Sequence, residues 1–522
     1  MTAPLPKQAS SSATRAREHS TPVPSKERAS WLCPKAKFTG ELPFVVPLLL
    51  LVALLPWQLS VEDLWHDEIY SLATARLGWR ELLAAVGADV HPPLYYLLLK
   101  LSLALPLSDA LALRLPSVLA TIALVGLSRE PILRALGRTT AIGFAWLVTF
   151  TPVVVSFSRE GRMYTLAACL VTACASYALA ALKQGRRRDT ALATLLGIAA
   201  GYTHYYAALT VGLFALVLLV QASARQRRVL VGAGLITLMA LSPWAQFVVA
   251  QVRMVKAGFW IPPTSLDTLQ KTLHLPFRLK FEDSPVHWSL HLAEAVAWLL
   301  LLWGLFGGAP AHRRAQRSCV AAWCLTLVVA LALSRFVAPV LVARYLFPAI
   351  GLFLLGVAAG LAKLPKRLVP WALGALCGLL AVTTLRVWTE RHNGLYREAA
   401  AAITASGEPH PLLVHEDVLT LLPLWYLLPN AEHVMLIKPT DPWSDWGQRI
   451  LWPRRVSEAT DAAQALSAGR PVWLCDQSFG YIPIDAPALA RLARWQQAAP
   501  PTRLSPPHAV FPMTLWHLTP KP

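Results

Sequence analysis

Residues 94–107 read LYYLLLKLSLALPL, an apolar run of fourteen residues that carries Lys100 and Ser102. A helix needs about twenty residues to cross about 30 Å of hydrocarbon, so this run is too short to span and is expected to lie in, or dip into, the outer interface. Much depends on that reading. Longer apolar runs begin near Leu42, Leu113, Thr140, Tyr164, Thr190, Ala207, Val229, Leu290, Cys319, Tyr345 and Leu368, which makes about eleven spans. With 94–107 left out and the N-terminus inside, five basic bunches all fall on the cytoplasmic side, as the positive-inside rule requires. They are Arg129/Arg134/Arg138, Lys183/Arg186/Arg187/Arg188, Arg225/Arg227/Arg228, Arg313/Arg314/Arg317 and Lys363/Lys366/Arg367. Counting 94–107 as a span would turn every one of them outward.

The composition supports a membrane class. Of 522 residues, 55% are hydrophobic and 15% charged, whereas soluble domains carry about a quarter charged residues. Lys and Arg number 48 against 29 Asp and Glu, a formal +19; because the excess sits in short bunches between spans, it argues against a nucleic acid partner. The seven cysteines form no CxxC or other tight metal spacing and read as small buried hydrophobes. Residues 1–41 are basic and rich in Ser and Pro, with no apolar stretch of the kind a signal peptide needs, and are expected to be a disordered cytoplasmic tail. The transmembrane domain is expected over 42–387. Residues 388–522 lose the long apolar runs and gain short ones, Pro411–Val414 and Pro471–Cys475, separated by helical stretches such as Tyr396–Ile403 and Ala462–Leu466. They predict a small extracytoplasmic α/β domain. The fold class is therefore an all-α polytopic membrane protein with interfacial helices in its first outer loop and a small C-terminal α/β outer domain.

On this topology the unusual polar residues gather on the outer face. The first outer loop, 60–112, opens with Trp65-His66-Asp67-Glu68, followed by Ile69, Leu72, Trp79, Leu82, Leu83 and Val86 at helical spacing opposite Arg76, Arg80 and Glu81. This is the pattern of a helix resting on the membrane surface, the first of two in the loop. A carboxylate at the mouth of a membrane cavity can serve as general base toward a hydroxyl; Asp67 and Glu68 would equally suit the first turn of a helix. The run Asp89-Val90-His91-Pro92-Pro93-Leu94-Tyr95-Tyr96 likewise reads as a helix start, with Asp89 as a cap. Ser158-Arg159-Glu160-Gly161-Arg162-Met163-Tyr164 and Ala343-Arg344-Tyr345 put arginines at outer ends of spans, against the positive-inside trend. Arg at such depth is kept for an anionic partner, either a protein carboxylate or a lipid phosphate. His204, in Tyr202-Thr203-His204-Tyr205-Tyr206, completes the set; the tyrosines beside it are expected as an interfacial belt. Asp67, Asp89, His91 and His204 could gather around a divalent metal, but nothing in their spacing requires one.

Acids in the first outer loop and arginines at the outer ends of spans suit transfer of a sugar from a lipid phosphate. The phosphate leaves without protonation, its charge is held by arginines, and one carboxylate suffices as base. Glycoside hydrolysis, by contrast, generally uses two carboxylates. A transporter or lipid flippase is the alternative; it would place ionisable residues near the middle of spans and show inverted repeats of broken helices, and neither is visible.

The motifs Trp65-His66-Asp67-Glu68, His91-Pro92-Pro93-Leu94-Tyr95-Tyr96, Arg114-Leu115-Pro116-Ser117, Ser158 to Tyr164 and Ala343-Arg344-Tyr345-Leu346 resemble, in this order, those of the GT-C glycosyltransferases. The likeness is to the bacterial branch akin to protein O-mannosyltransferases and the lipid A aminoarabinose transferase, and it covers about the first 390 residues. The resemblance implies a polyprenyl-phosphate-linked sugar as donor, inversion at the anomeric carbon, Asp67 as base with Glu68 beside it, and Arg162 and Arg344 near the carrier phosphate. Asp89, His91, Arg159, His204 and Tyr345 are the further candidates for donor or substrate binding. Acceptors among such proteins range over lipids, glycans and protein hydroxyls, and no cofactor is demanded. The expected location is the bacterial inner membrane.

Overall fold

The computed structural model describes residues 34–55, 59–60, 62–257, 261–278, 288–306, 310–389, 393–415, 418–435, 456–457, 470–476, 495–497, 502–504 and 513–520. The expected tail up to residue 33, with Cys33, and the stretch Ala462–Leu466 lie outside them. The chain forms two units, Met1–Pro43 and Phe44–Pro522. In the first, only the opening of the Pro34–Leu54 helix is described; all later elements belong to the second.

Every apolar run read as a span is helical. Beyond Pro34–Leu54 these helices are Asp109–Gly126, Arg138–Phe150, Tyr164–Gln184, Arg187–Gly201, Tyr205–Gln221, Ala224–Leu241, Trp288–Phe306, Pro310–Phe336, Ile350–Leu361 and Val369–Thr389. Among the described residues, six helical stretches are long and apolar enough to cross a bilayer, and the bent pair Arg138–Phe150 and Pro152–Ser158 makes a seventh if it is one span. The chain is a multi-pass membrane protein. The bend, 63°, falls where Pro152 withholds an N–H from the helical ladder, and it delivers the Ser158–Met163 turn to one end of the bundle. Helices pack closely where side chains are small: a Cβ on Gly360 would overlap the Leu300 carbonyl. Cys169, Cys174, Cys319, Cys377 and Cys475 are buried, as small hydrophobes should be, but Cys324 is exposed on the apolar surface of its helix.

The first loop holds three helices where two were expected: His66–Arg76, Trp79–Ala88 and Leu94–Ser102. Leu77 and Gly78 break the first run, and the Glu81 carboxylate accepts from the Gly78 N–H to start a new helix. Ile69, Leu72, Leu82 and Val86 face Tyr95, Tyr96, Leu99 and Leu113 inside the protein, leaving Trp79 and Leu83 exposed. The Leu94–Ser102 helix has nine residues, about 14 Å of rise and far short of a span. Its Lys100 donates to the Ala75 carbonyl at 3.2 Å and to that of Leu77, capping the His66 helix. Two turns into the Asp109–Gly126 helix, Pro116 leaves the carbonyl four residues back without its helical partner, and Ser102 donates to that carbonyl, of Ala112, at 2.6 Å.

After residue 393 the chain folds as α/β. Its strands are β1 (Leu412–His415), β2 (Glu432–Met435), β3 (Val456–Ser457), β4 (Val472–Asp476), β5 (Trp495–Gln497), β6 (Thr502–Leu504) and β7 (Met513–Pro520). They run in the order β3-β2-β1-β4-β7-β5, with β6 also on β7. The first four are mutually parallel, while β7 runs antiparallel to β4, β5 and β6. Alternation sorts the two faces: Leu413, Trp473, Cys475 and Leu515 pack on the Tyr396–Thr404 helix, and Leu412, Val414, Val434 and Leu474 form the opposite layer. This region is docked on the first loop. Trp65 lies in the cluster of the Tyr396 helix, and Leu422 of the Val418–Leu427 helix joins the cluster of Ile69 and Leu72. Arg397 pairs with Asp63 at 2.9 Å, the Asn393 N–H donates to Glu62, and the Tyr426 hydroxyl donates to Asp109 at 2.8 Å.

Candidate active site

Asp67 and Glu68 occupy the first turn of the His66 helix, where its unpaired N–H groups favour carboxylates. Adjacent helical residues diverge by about 100°, so the two acids enter different surroundings. Glu68 is completely buried. Its Oε1 accepts from Arg114 Nε at 2.8 Å and from the Gly161 N–H at 2.8 Å, and its Oε2 from Arg114 Nη2 at 2.8 Å and Asn393 Nδ2 at 3.3 Å. Arg114 spends its remaining donors on the carbonyls of Leu59, Glu62 and Asp63, so all five of its N–H groups are occupied. Gly161 is needed for this approach, since a Cβ there would lie 2.3 Å from Leu113 Cγ.

Asp67 keeps 19% of its side chain exposed. His66 Nε2 stands 3.3 Å from its Oδ1, and Arg162 Nε stands 3.9 Å from its Oδ2. Arg162 is buried. Its Nη1 donates to Ser71 Oγ at 2.9 Å and to the Asp67 carbonyl at 3.4 Å, and its Nη2 faces His91 Nε2 at 3.3 Å. Ser71 in turn donates to the Asp67 carbonyl at 2.8 Å. His91 Nδ1 lies 2.7 Å from Asp89 Oδ2. Among the described residues, the Arg162 Nε–H has no acceptor within hydrogen-bonding distance. Burial pushes the Asp67 carboxyl up, but the charges of Arg162, His66 and Arg344 outweigh it and hold the group well below the usual carboxylate range. Burial raises Asp89 likewise, and its interactions with His91, the Val90 N–H and the Tyr70 hydroxyl bring it below its ordinary value.

Aromatic rings stand close by. His204 lies 5.8 Å from Tyr164, 6.0 Å from Tyr206 and 5.6 Å from Tyr345 between ring centres, and the Arg344 guanidinium is 5.9 Å from the Tyr345 ring. His204 opens the Tyr205 helix, its Nδ1 accepting from the Tyr206 N–H at 3.1 Å. Burial, with the charge of Arg162 nearby, pushes its imidazole down to about 3. Arg159 points elsewhere: it is buried, donates to the Val387 carbonyl, and feels Glu62, Arg114 and Glu68 rather than Asp67.

Asp67, Asp89, His91 and Arg162 are thus brought together, with Arg344, Tyr345 and His204 nearby, while Glu68 and Arg159 sit on the far side of the helix start. The sequence alone did not mark Arg114, Ser71 and Asn393 as parts of this arrangement. An arginine at the start of an apolar run was the available signal for Arg114. Among the described residues, no group of three or more His, Cys, Asp or Glu is arranged to hold a metal ion.

The fold is shared with solved structures. ArnT from Cupriavidus metallidurans bound to undecaprenyl phosphate superposes with a TM-score of 0.58 at 12% identity, over 92% of this chain and 98% of that one. The chain has the GT-C fold. The Archaeoglobus fulgidus oligosaccharyltransferase in its apo form superposes on this chain at 0.50 and 10% identity, over 85% and 70% of the two chains. The oligosaccharyltransferase AglB from Archaeoglobus fulgidus, in complex with an inhibitory peptide and a dolichol-phosphate, does so at 0.50 and 11%, over 86% and 70%. The dolichyl-phosphate-mannose-protein mannosyltransferase family profile matches residues 90–247, which include His91, Arg159, Arg162 and His204. No curated protein sequence is significantly similar to the chain.

Proposed function

We propose that the chain is an inverting glycosyltransferase that moves a sugar from a polyprenyl-phosphate donor to a hydroxyl acceptor at the outer side of the bacterial inner membrane. The observation that carries this reading is the buried Arg162, held beside the partly exposed Asp67 with its Nε–H unfilled among the described residues. A buried cationic donor without an acceptor is costly unless a ligand supplies one. Undecaprenyl phosphate in the ArnT structure and dolichol-phosphate in the AglB structure suggest the class of that ligand.

In this reading the Asp67 carboxylate takes the proton of the acceptor hydroxyl, the oxygen attacks the anomeric carbon, and the bond from that carbon to the phosphate oxygen breaks with its electron pair on the phosphate. Arg162 and Arg344 hold the phosphate as its charge grows. With no donor bound, Asp67 is a weak base because these arginines stabilise its anion; a phosphate seated on them draws their charge away and restores its basicity. In the donor-free enzyme Asp67 stays ionised far into acid, so kcat/KM falls through its protonation only well below its ordinary value. Glu68 acts as the partner of Arg114, and Arg159 secures the end of the Val369 helix. Tyr345 and the His204 ring present stacking faces to the sugar.

The experiment feeds purified full-length protein in nanodiscs a panel of undecaprenyl-phosphate-linked hexoses and pentoses, with envelope lipids and glycans as acceptors. Released undecaprenyl phosphate is measured. Wild type should release it and Asp67→Asn should not, although both reach the membrane in equal amount. Undiminished release by Asp67→Asn would overturn the assignment of the base.

A further inference from the structure

We propose that Asp89 and His91 are positioning residues that set the guanidinium of Arg162, rather than groups that touch the donor. The inference rests on the proposed roles of Asp67 as base and Arg162 as holder of the phosphate.

Arginine only donates, so the 3.3 Å approach of its Nη2 to His91 Nε2 requires a bare lone pair on that nitrogen. The ring's single proton is then on Nδ1, which donates to Asp89 Oδ2 at 2.7 Å. Asp89 is anchored in turn by the Val90 N–H and the Tyr70 hydroxyl. The imidazole is therefore neutral, with its tautomer fixed by a carboxylate, the device by which a second group commonly orients a functional histidine. Its target here is a cation.

The consequence falls on the free edge of Arg162. Ser71 Oγ and the Asp67 carbonyl share Nη1, and His91 accepts from Nη2. The Nε–H is the donor left without an acceptor among the described residues, and Nε lies 3.9 Å from Asp67 Oδ2. A guanidinium fork whose Nη groups are fixed in this way presents that edge to a phosphate. The donor phosphate is a diester with one negative charge and departs as a monoester with more, so a fork held at the right angle gains strength as the bond breaks. An imidazole carrying its proton on Nε2 would set two donors face to face and turn the fork aside. His66 and Ser71 flank the pair from the His66 helix, and His204 approaches from the start of the Tyr205 helix, but neither histidine contacts Arg162 or His91 through a hydrogen bond among the described residues.

Two readouts test the assignment. The first is independent of catalysis: full-length protein labelled with 15N-histidine is compared with His91→Gln at pH 7.5, and the signal missing from the variant belongs to His91. It should show Nδ1 protonated and Nε2 bare, and Asp89→Ala should abolish that pattern; Nε2 found protonated in wild type would overturn the proposal. The second reads kcat and KM from undecaprenyl phosphate release. His91→Phe should lower kcat about 10²-fold, the scale of losing one preorganised donor, with KM changed less than threefold. His91→Gln, whose side-chain oxygen can accept from Arg162, should restore kcat to within about tenfold of wild type. A rise in KM with kcat intact would assign His91 to donor binding and overturn it. Should wild type release nothing from any donor, the transferase reading fails, and the tautomer of His91 still decides this proposal.

Discussion

Two carboxylates one residue apart live in opposite worlds. Glu68 is wholly buried, and among the described residues Arg114, Gly161 and Asn393 all donate to its two oxygens. Asp67 is partly open and faces an arginine that, among the described residues, keeps a donor unfilled. A closed ion pair holds a shape, whereas an open one awaits a third party. The same helix start thus supplies both the fixing of the site and its chemistry, and neighbouring residues need not share a role merely because they share a charge.

The largest expected effect is on turnover. Asp67→Asn should lower it by about 10²–10⁴-fold, the range for a lost general base, while the protein still melts cooperatively in detergent. Glu68→Gln, judged per folded molecule, should remain within about tenfold of wild type; a loss as deep as that of Asp67→Asn would erase the contrast between the two acids. Next comes Arg114→Met, which strands a buried carboxylate and three carbonyls and should cost about 3–5 kcal/mol, read as loss of membrane yield and of a cooperative melt. Arg397→Ala leaves the buried Asp63 without its ion-pair partner and should cost about 1–3 kcal/mol by thermal unfolding. Smallest is Arg76→Ala: its pair with Asp109 at 2.7 Å is largely exposed, worth about 0.2–1 kcal/mol and weakened by salt. A larger loss there would show that the docking of Tyr426 on Asp109 depends on Arg76.

Much of this was readable from the residues, for physical reasons that differ from place to place. Long apolar runs declare helices because lipid leaves no other way to satisfy a backbone, and the short runs at Leu412–His415 and Val472–Asp476 declare strands by their β-branched and aromatic content. The break at Leu77–Gly78 was hidden, because the apolar periodicity continues through it in phase. Lys100 looked like a blemish in an apolar run and is instead the cap of another helix. Arg162 was visible as a misplaced cation, and Asp67 as an acid at a span's mouth. Their juxtaposition with His91 was not, since it depends on how three segments fold back on one another. The partnership of Asn393 with Glu62 and Glu68 leaves no local trace at all, as it joins residues more than three hundred positions apart.

That partnership sets a timetable. The segment around Glu62 emerges early from the ribosome, yet the Asn393 N–H that meets it is made 331 residues later, a wait of roughly 20–70 s at ordinary rates of synthesis. Until then the segment lacks the bonds from Asn393 and Arg397 and the cover of the Val418 helix. A chain cut short before residue 393 would insert its helices and still leave the start of the His66 helix without those supports.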